Sequence, residues 1–438
     1  MTESAPAEPS TAALVAAYGQ RFDAQVLAGD HGVASGLGAW LLLALVAPLT
    51  TGADRVALES LLGTSADDAA VRSGALVADP PAAVAAALAA WHRPGWVTDA
   101  YDRWVGAWPV ATDRRPVPTQ AEADAWADEH TFGMIPTFPG DVADPAVVLV
   151  LASALATRAD WREPFDVAPS ARLASPWSDQ VAEVLVAPRP HTRLLVRTPA
   201  AGLVGVHAAP TTQGLVVVSV VADAAVASAR VQAAAYDVVA LITRGSTTAE
   251  RVSLFDLALG EGPAWTITEE STPSTVPEDV SVVIPAWTAR SDHDLVGPGR
   301  HLGFELADRG LDVVVEGGPG AVAARQAAYA AFTRTRFEAA AVTTMIRQVS
   351  ARLPQAQPRR AEVRFGHPYA VVAFVADPGL HQVHPDEPPP PEAWRGVPVF
   401  SAWVTEPSEP AELEPGEEVA ASPSPGRAGT AGAPPPSS

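Results

Sequence analysis

The side chains that could carry out chemistry in this sequence are ten histidines together with serines and carboxylates, since cysteine is absent. No G-x-S-x-G motif occurs. The nearest sequence, residues 32–36, is G-x-x-S-G and does not support a nucleophile-elbow hydrolase. A phosphate-binding loop and an H-E-x-x-H metal motif are also missing from the sequence. Nothing in this inventory argues for an enzyme.

One pair of histidines has the spacing of a metal site. His381 and His384 are flanked by Asp377, Asp386 and Glu387, which are all residue types that bind zinc. The segment is rich in proline, however, and a site needs a rigid ligand geometry. We therefore interpret it as a solvated loop and expect no metal or other cofactor.

Composition excludes several classes of partner. The chain has 438 residues, 48% of them hydrophobic and 18% charged, and a net charge of −21 with Arg as its only basic residue. A surface this acidic repels nucleic acid and anionic lipid. The longest strongly apolar run, residues 40–47, is too short to span a bilayer, and the first residues do not form a secretory signal. We expect a cytoplasmic bacterial protein, and export stays open.

The pattern along the chain predicts one α+β domain between two disordered tails. Residues 1–10 and 406–438 are rich in Pro, Ser, Gly, Ala and Glu, so we assign the domain to residues 11–405. Apolar spacings of three and four predict helices at 14–22, 38–46, 54–62, 82–91, 226–234 and 321–331, and Thr119 and Glu122 predict a capping box. Val- and Leu-rich runs predict strands at 146–154, 192–197, 203–208, 214–222, 280–284 and 369–375.

The region from about 326 to 405 is the most informative part. It predicts a strand, a small-residue segment that can be extended or helical, an exposed loop of about 20 residues, and two more strands. A loop of that length in a compact protein is unusual and commonly functional. Taken alone, residues 339–341 also fit a short Ala-rich helical turn.

Motifs in this region resemble those of the serpins. Phe365-Gly-His-Pro-Tyr-Ala-Val resembles the family signature F-x-x-H-P-F-x-F, with His367 and Pro368 at its centre, and Glu338-Ala-Ala-Ala-Val-Thr resembles the hinge E-A-A-A-A-T. Further landmarks follow in family order at residues 35–41, 51–62, 126–135, 149–165 (which includes Trp161), 281–287 and 302–304. The resemblance covers roughly residues 12–405.

The resemblance implies a serpin-like fold, with N-terminal helices packed on a large central sheet and an exposed reactive loop at about 334–364. It also implies a metastable, monomeric inhibitor of a serine (or cysteine) protease, which cleaves the loop before the loop inserts into the sheet. The implied hinge residues are Arg334, Arg336, Phe337, Glu338, Ala339, Ala340, Ala341, Val342 and Thr343, and the implied scissile-bond candidates are Arg347, Ser350, Ala351 and Arg352.

The sequence departs from the family pattern at two places that matter for insertion. In the hinge, Arg334, Arg336 and Phe337 replace a Glu, a Gly and a small Thr or Ser, and an oversized residue in an inserted strand costs roughly 1–3 kcal/mol. In the sheet-opening region, Ser35 is retained, whereas Ser153 replaces Asn, Gln326 replaces His, and Gly36 and Gly38 replace Pro and Ser. Three hypotheses therefore remain: a protease inhibitor, a non-inhibitory serpin-fold scaffold or binding protein, and, least favoured, an enzyme or metal-dependent protein.

Overall fold

The computed structural model describes residues 8–244, 248–271, 276–296, 300–316, 323–337, 357–377 and 389–410. Its helices in those ranges are α1 (Thr11–Val26), α2 (Gly36–Val46), α3 (Gly52–Leu62), α4 (Ala66–Ala78), α5 (Asp99–Gly106), α6 (Gln120–His130), α7 (Ser228–Arg244) and α8 (Phe304–Leu311). Its strands are β1 (Gly32–Ala34), β2 (Val84–His92), β3 (Asp113–Pro116), β4 (Leu149–Thr157), β5 (Ala159–Asp160), β6 (Asp166–Pro169), β7 (Glu183–Val186), β8 (Thr192–Thr198), β9 (Gly202–Pro210), β10 (Leu215–Val221), β11 (Glu250–Arg251), β12 (Gly260–Glu261), β13 (Trp265–Glu269), β14 (Glu278–Ile284), β15 (Trp287–Asp294), β16 (Arg325–Phe332), β17 (Arg336–Phe337), β18 (Arg359–Arg364), β19 (Tyr369–Val375) and β20 (Pro398–Val404).

The strands form a seven-stranded sheet, a six-stranded sheet and three smaller ones. The seven-stranded sheet has the order β1-β20-β19-β10-β9-β8-β11, and all of its pairs are antiparallel. The six-stranded sheet has the order β12-β13-β18-β14-β7-β6. The smaller sheets are β3-β2-β4, β15-β16 and β17-β5. Helices and sheets together confirm the predicted α+β class.

The main hydrophobic core lies between the helices and the seven-stranded sheet. β10 and β19 are buried along their whole length, as continuous Val-rich runs predict for strands covered on both faces. The helix α2 has no polar face and ten of its residues are buried, so it passes through the centre of the molecule. None of the helices in the described ranges combines the length and apolar character needed to cross a bilayer.

Local sequence signals explain where several elements begin. Ser35 caps α2 by accepting a hydrogen bond from the Gly38 amide at 3.2 Å, and Thr119 and Glu122 form the predicted capping box of α6. The predicted strands at 192–197, 203–208, 214–222, 280–284 and 369–375 are confirmed as β8, β9, β10, β14 and β19 within two residues at each end.

Two of the helix predictions are wrong. Residues 84–91 of the first belong to the strand β2, and residues 325–331 of the second belong to the strand β16. Both runs are rich in alanine, which favours helix locally. β2 nevertheless pairs with β4 on one side and β3 on the other, and β16 pairs with β15 along its whole length. Tertiary pairing and burial outweigh the local preference.

The boundaries of the predicted loop and tail also differ from the structure. Residues 359–364 form β18, a central strand of the six-stranded sheet with Ala361 and Val363 buried, so a loop over 334–364 is too long by at least six residues at its C-terminal end. In the predicted tail, the Ser408 amide bonds to the Ala286 carbonyl at 2.8 Å. The Glu409 carboxylate accepts from the Ala182 amide at 2.7 Å. Contacts with the body therefore continue to at least residue 409.

Candidate functional site

The small sheets β3-β2-β4 and β15-β16 lie edge to edge. Within the described residues, their facing strands β4 and β16 do not pair with each other. At one end, Ser153 of β4 and Gln326 of β16 both approach Gly38: a Cβ added there would meet Ser153 Oγ at 3.3 Å and Gln326 Nε2 at 3.6 Å. At the other end, Trp161 Nε1 donates to the Thr333 carbonyl at 3.0 Å. Ser153 precedes Trp161 by eight residues and Gln326 precedes Thr333 by seven, so the two strands run in the same direction. We call the space between β4 and β16 the cleft.

The chain turns back toward the cleft after β16. Arg336 and Phe337 pair antiparallel with Asp160 and Ala159. Their partner strand, β5, follows β4 after the single residue Arg158. Since β16 runs parallel to β4 and β17 runs antiparallel to β5, the chain reverses between β16 and β17. Any continuation of β17 in this direction would lie antiparallel to β4.

An aromatic cluster packs beside this turn, at residues 333–334. Trp161 is fully buried, and its ring lies 5.6 Å from that of Phe165 and 4.9 Å from that of Phe332. The Phe165 amide donates to the Arg334 carbonyl at 3.0 Å. Arg334 Nε donates in return to the Phe165 carbonyl at 3.4 Å. The segment 161–165 therefore holds the turn at 333–334 through the Trp161 indole and through both backbone groups of Phe165.

The three predicted sheet-opening residues lie together at the first turn of α2. The Ser35 amide donates to Gln326 Oε1 and Gln326 Nε2 donates to the Ser35 carbonyl, both at 2.9 Å. Ser153 Oγ donates to the Gly38 carbonyl at 3.0 Å, and Ser35 Oγ donates to the Val399 carbonyl at 2.7 Å. At this end of the cleft, each side is thus bound to α2.

Glycine at positions 36 and 38 fits this arrangement. A Cβ on Gly36 would lie 2.7 Å from the Cα of Gly19 in α1, which is closer than any tolerated contact, so α1 and α2 can pack this closely only without a side chain. A Cβ on Gly38 would lie 3.3 Å from Ser153 Oγ. The departures at Gly36, Gly38 and Ser153 are therefore compatible with one another sterically.

Two buried histidines beside the aromatic cluster were not singled out by the sequence. His191 Nδ1 lies 3.0 Å from His207 Nε2, and His191 Nε2 lies 3.0 Å from the Glu163 carbonyl. Burial lowers the pKa of His191 to about 4, against the smaller opposing effect of its bond to the Glu163 carbonyl. Burial also holds the pKa of His207 well below its usual value, with His191 and the Arg193 charge lowering it further. The available signal was a polar residue, His207, inside the apolar strand 203–208.

The signature residues lie where β18 leads into β19. Phe365 is fully buried and its ring lies 4.9 Å from that of Tyr369. His367 is partly buried, which lowers its pKa, and Pro368 is exposed. A Cβ on Gly366 would meet Ser175 Oγ at 2.6 Å. These residues stabilise the strand connection and lie apart from the cleft in the chain's topology.

The remaining predicted residues lie outside the described ranges. They are Glu338, Ala339, Ala340, Ala341, Val342, Thr343, Arg347, Ser350, Ala351, Arg352, His381 and His384. Arg334, Arg336 and Phe337 are described only as the turn and the short strand β17 that lead toward residue 338. No group of three or more potential metal ligands occurs among the residues that the structure describes.

Known proteins resemble this chain in structure but not detectably in sequence. No protein-family model matches it, and no curated protein matches its sequence. The thermophilic serpin tengpin in its native state has 13% identity and a TM-score of 0.60 over 92% of this chain and 96% of its own. Uncleaved ovalbumin has 11% identity and a TM-score of 0.56 over 91% and 100%.

Further similar structures include a cleaved serpin and an insect serpin. Cleaved Serpin 42Da has 12% identity and a TM-score of 0.57 over 92% of this chain and 98% of its own. Serpin48 from the insect Tenebrio molitor has 14% identity and a TM-score of 0.55 over 90% and 97%. Because each covers about nine tenths of this chain and nearly all of the other, the similarity extends over the whole architecture. This chain has the serpin fold.

Proposed function

We propose that this chain inhibits a serine protease as a suicide substrate, through the loop that follows β17 and its insertion into the cleft. The observation that supports this most is the antiparallel pairing of Arg336 and Phe337 with Asp160 and Ala159. The chain enters the loop already running in the direction that an added strand between β4 and β16 requires. Main-chain pairing on both edges would then stabilise the inserted loop.

The length of chain available fits this role. Between Phe337 and Arg359, where the described strands end and resume, lie 21 residues. β4 has nine residues and β16 has eight, so a segment of about nine residues would fill the cleft. More than half of the intervening chain is left to carry a scissile bond, near Arg347 or between Ser350 and Arg352.

The chemical step belongs to the protease. Its serine hydroxyl adds to the carbonyl carbon of the scissile peptide bond, the C–N bond breaks, and the departing amine takes up the proton. The loop is left joined to the protease as an ester. Rapid insertion at that stage would carry the acyl-enzyme along the sheet before water hydrolyses the ester, so the rate of insertion decides between trapping and simple cleavage.

A non-inhibitory scaffold or binding protein is the second candidate. It is favoured by Arg336 and Phe337, which replace the small hinge residues of the family. The same fold occurs in thyroxine-binding globulin complexed with thyroxine, at 11% identity and a TM-score of 0.56 over 90% of this chain. The fold alone is therefore compatible with carrying a ligand.

Incubation with a panel of trypsin-like, subtilisin-like and papain-like proteases distinguishes the two candidates. An inhibitor gives a covalent complex that survives SDS electrophoresis, with loss of protease activity. The matched control is Thr343→Arg, which would place a charge in the inserted segment; it should be cleaved at the same bond without trapping the protease. Clean cleavage of the unmodified chain by a protease that stays active would reject inhibition and favour the scaffold.

A further inference from the structure

The two buried histidines hold the segment 161–165, which supports the hinge. Their hydrogen bonds determine which ring nitrogens carry a proton. The Glu163 carbonyl can only accept, so His191 Nε2 carries a proton and donates to it at 3.0 Å. His191 Nδ1 is then an acceptor for the Nε2–H of His207 at 3.0 Å. Both rings are neutral, and each of these contacts uses one proton.

A further proton on either ring would have no hydrogen-bond acceptor in this arrangement. On His191 Nδ1 it would face the N–H of His207 across 3.0 Å. On His207 Nδ1 it would find no acceptor among the described residues, in surroundings formed by Phe165 and Phe332. Since His191 is 3% exposed and His207 is 0% exposed, bulk water cannot solvate the added charge while the rings stay in place, so protonation favours separation of the pair.

The pair is connected to the hinge through a short chain of contacts. His191 bonds to Glu163, which lies between Trp161 and Phe165. Trp161 and Phe165 in turn bond to the carbonyls of Thr333 and Arg334. The bond to the Glu163 carbonyl by itself favours the protonated ring, but burial opposes it and is the larger effect. If a protonated His191 moves into water, that bond is lost, which removes one of the contacts of the segment that holds the turn at 333–334.

We propose that the His191–His207 pair is a pH-sensitive latch on the reactive-loop hinge: when neutral it holds segment 161–165 against the turn at 333–334, and when protonated it releases that turn. This rests on the proposed function, because it assigns a regulation to the same cleft. An acidic setting would favour the opened hinge and faster entry of the loop.

The effect of the histidine pair on the pH dependence must be distinguished from that of the other ionisable groups around it. Arg193 on β8 keeps its charge at every relevant pH and lies 3.5 Å from Asp279. Asp160 on β5 is buried, which raises its pKa, so it also changes charge in the acid range. Glu163 contributes through its backbone carbonyl, and Arg334 contributes through its carbonyl and through its guanidinium Nε, which donates to the Phe165 carbonyl at 3.4 Å.

The size of the effect follows from proton linkage. An opened histidine has a pKa near 6.5, whereas the pKa of His191 in the closed state is about 4. The group binds more protons when opened, so the opened state gains as the pH falls below 6.5. Between pH 7.5 and 5.0, His191 alone shifts the equilibrium toward opening by about thirtyfold.

Hydrogen–deuterium exchange of the intact chain tests this without a protease. Rates at pH 7.5 and 5.0 are corrected for the intrinsic pH dependence of amide exchange. Peptides covering 161–165 and 331–337 should lose protection at least tenfold at pH 5.0. His191→Gln, whose amide can donate to Glu163 and accept from His207, should lose this pH dependence. His301→Gln at an exposed position and Asp160→Asn should both retain it.

Several outcomes would overturn the latch. Unchanged protection of the wild-type chain at pH 5.0 is one, and equal loss of protection in His191→Gln is another. Loss of the pH dependence in Asp160→Asn alone would assign the switch to that carboxyl. If His191→Gln does not fold, His207→Gln replaces it, and the wild-type measurement alone can still reject the proposal. Protease trapping with pH-independent exchange rejects only the latch, whereas pH-dependent exchange without trapping rejects only the inhibitor.

Discussion

Asp23 is a carboxylate held in the core between α1, α7 and β20. It is 1% exposed, and it accepts hydrogen bonds from Tyr236 Oη and Ser401 Oγ, both at 2.7 Å. The two hydroxyls favour the ionised form, but burial has the larger effect and raises the pKa of Asp23 to about 7. Near neutral pH the folded chain therefore holds a carboxylate that would be ionised more easily in the unfolded chain.

This predicts a pH-dependent effect of Asp23→Asn. Because the folded pKa is raised, the folded state binds more protons than the unfolded state between about pH 4 and 7, and wild-type stability falls as the pH rises through that window. The asparagine cannot ionise. Its free energy of unfolding relative to wild type should therefore rise by about 2–3 kcal/mol from pH 5 to pH 8.

Urea unfolding at the two pH values measures this difference. Asp30→Asn, which removes a carboxylate from an exposed position just beyond α1, is the control for a general effect of net charge and should show little pH dependence relative to wild type. A constant offset between Asp23→Asn and wild type at both pH values would contradict the raised pKa.

The strands β4 and β16 are held in place by different side chains that bond to the same turn of α2. Gln326 bonds to both backbone groups of Ser35, and Ser153 bonds to the Gly38 carbonyl. Because the strands β4 and β16 do not pair with each other through the described residues, these side-chain contacts set the width of the cleft at this end, and the bonds of Trp161 and Phe165 to Thr333 and Arg334 set it at the other. Under the proposed function, opening of the sheet would require breaking a few bonds rather than a whole ladder.

Gln326→Ala tests this at the scale of the strand. The change leaves the Ser35 amide without its partner and the Ser35 carbonyl with only the Ala39 amide at 3.5 Å, which should lower the free energy of unfolding by about 2 kcal/mol. If the bonds are already broken when the sheet opens, spontaneous conversion to a form whose loop resists cleavage should accelerate by about thirtyfold. Urea unfolding and timed digestion measure the two effects.

Gln25→Ala is the matched control for Gln326→Ala. Gln25 accepts a hydrogen bond from the His301 amide at 2.7 Å near the end of α1, so its loss removes a similar contact remote from the cleft. It should leave the conversion rate unchanged. A conversion rate that is the same in Gln326→Ala and wild type would show that the bonds to Ser35 survive sheet opening.

How far sequence predicts these elements depends on what stabilises them. The Val-rich strands β10 and β19 and the capped helix α6 follow from local patterns, and the motifs around Ser35, Ser153 and Gln326 place those residues in family order. The Ala-rich strands β2 and β16 do not follow, because alanine carries no strand signal and pairing decides. The His191–His207 contact cannot be predicted from local sequence patterns either, because tertiary packing brings together two residues that are 16 positions apart.

At the scale of the whole molecule, the two candidate functions differ in which state is lowest in free energy. An inhibitor must fold with its loop outside the sheet and be kept there by a barrier, so that insertion releases free energy. A scaffold does not need a folded state whose free energy falls on loop insertion. The structures similar to this chain include a native serpin and a cleaved one, so the fold itself is compatible with either candidate function.

Cleaving the loop separates these cases. Limited digestion should cut between residues 338 and 358, with the site identified by mass spectrometry. If the freed strand enters the cleft, it gains backbone pairing with β4 and β16 and buries its small side chains, so the melting temperature should rise by about 10 °C or more. Thr343→Arg, nicked at the same bond, should rise far less because a charge would have to be buried between the strands. An unchanged melting temperature in the nicked wild-type chain would mean that Arg336 and Phe337 hold the hinge out of the sheet, and that the fold serves here as a scaffold.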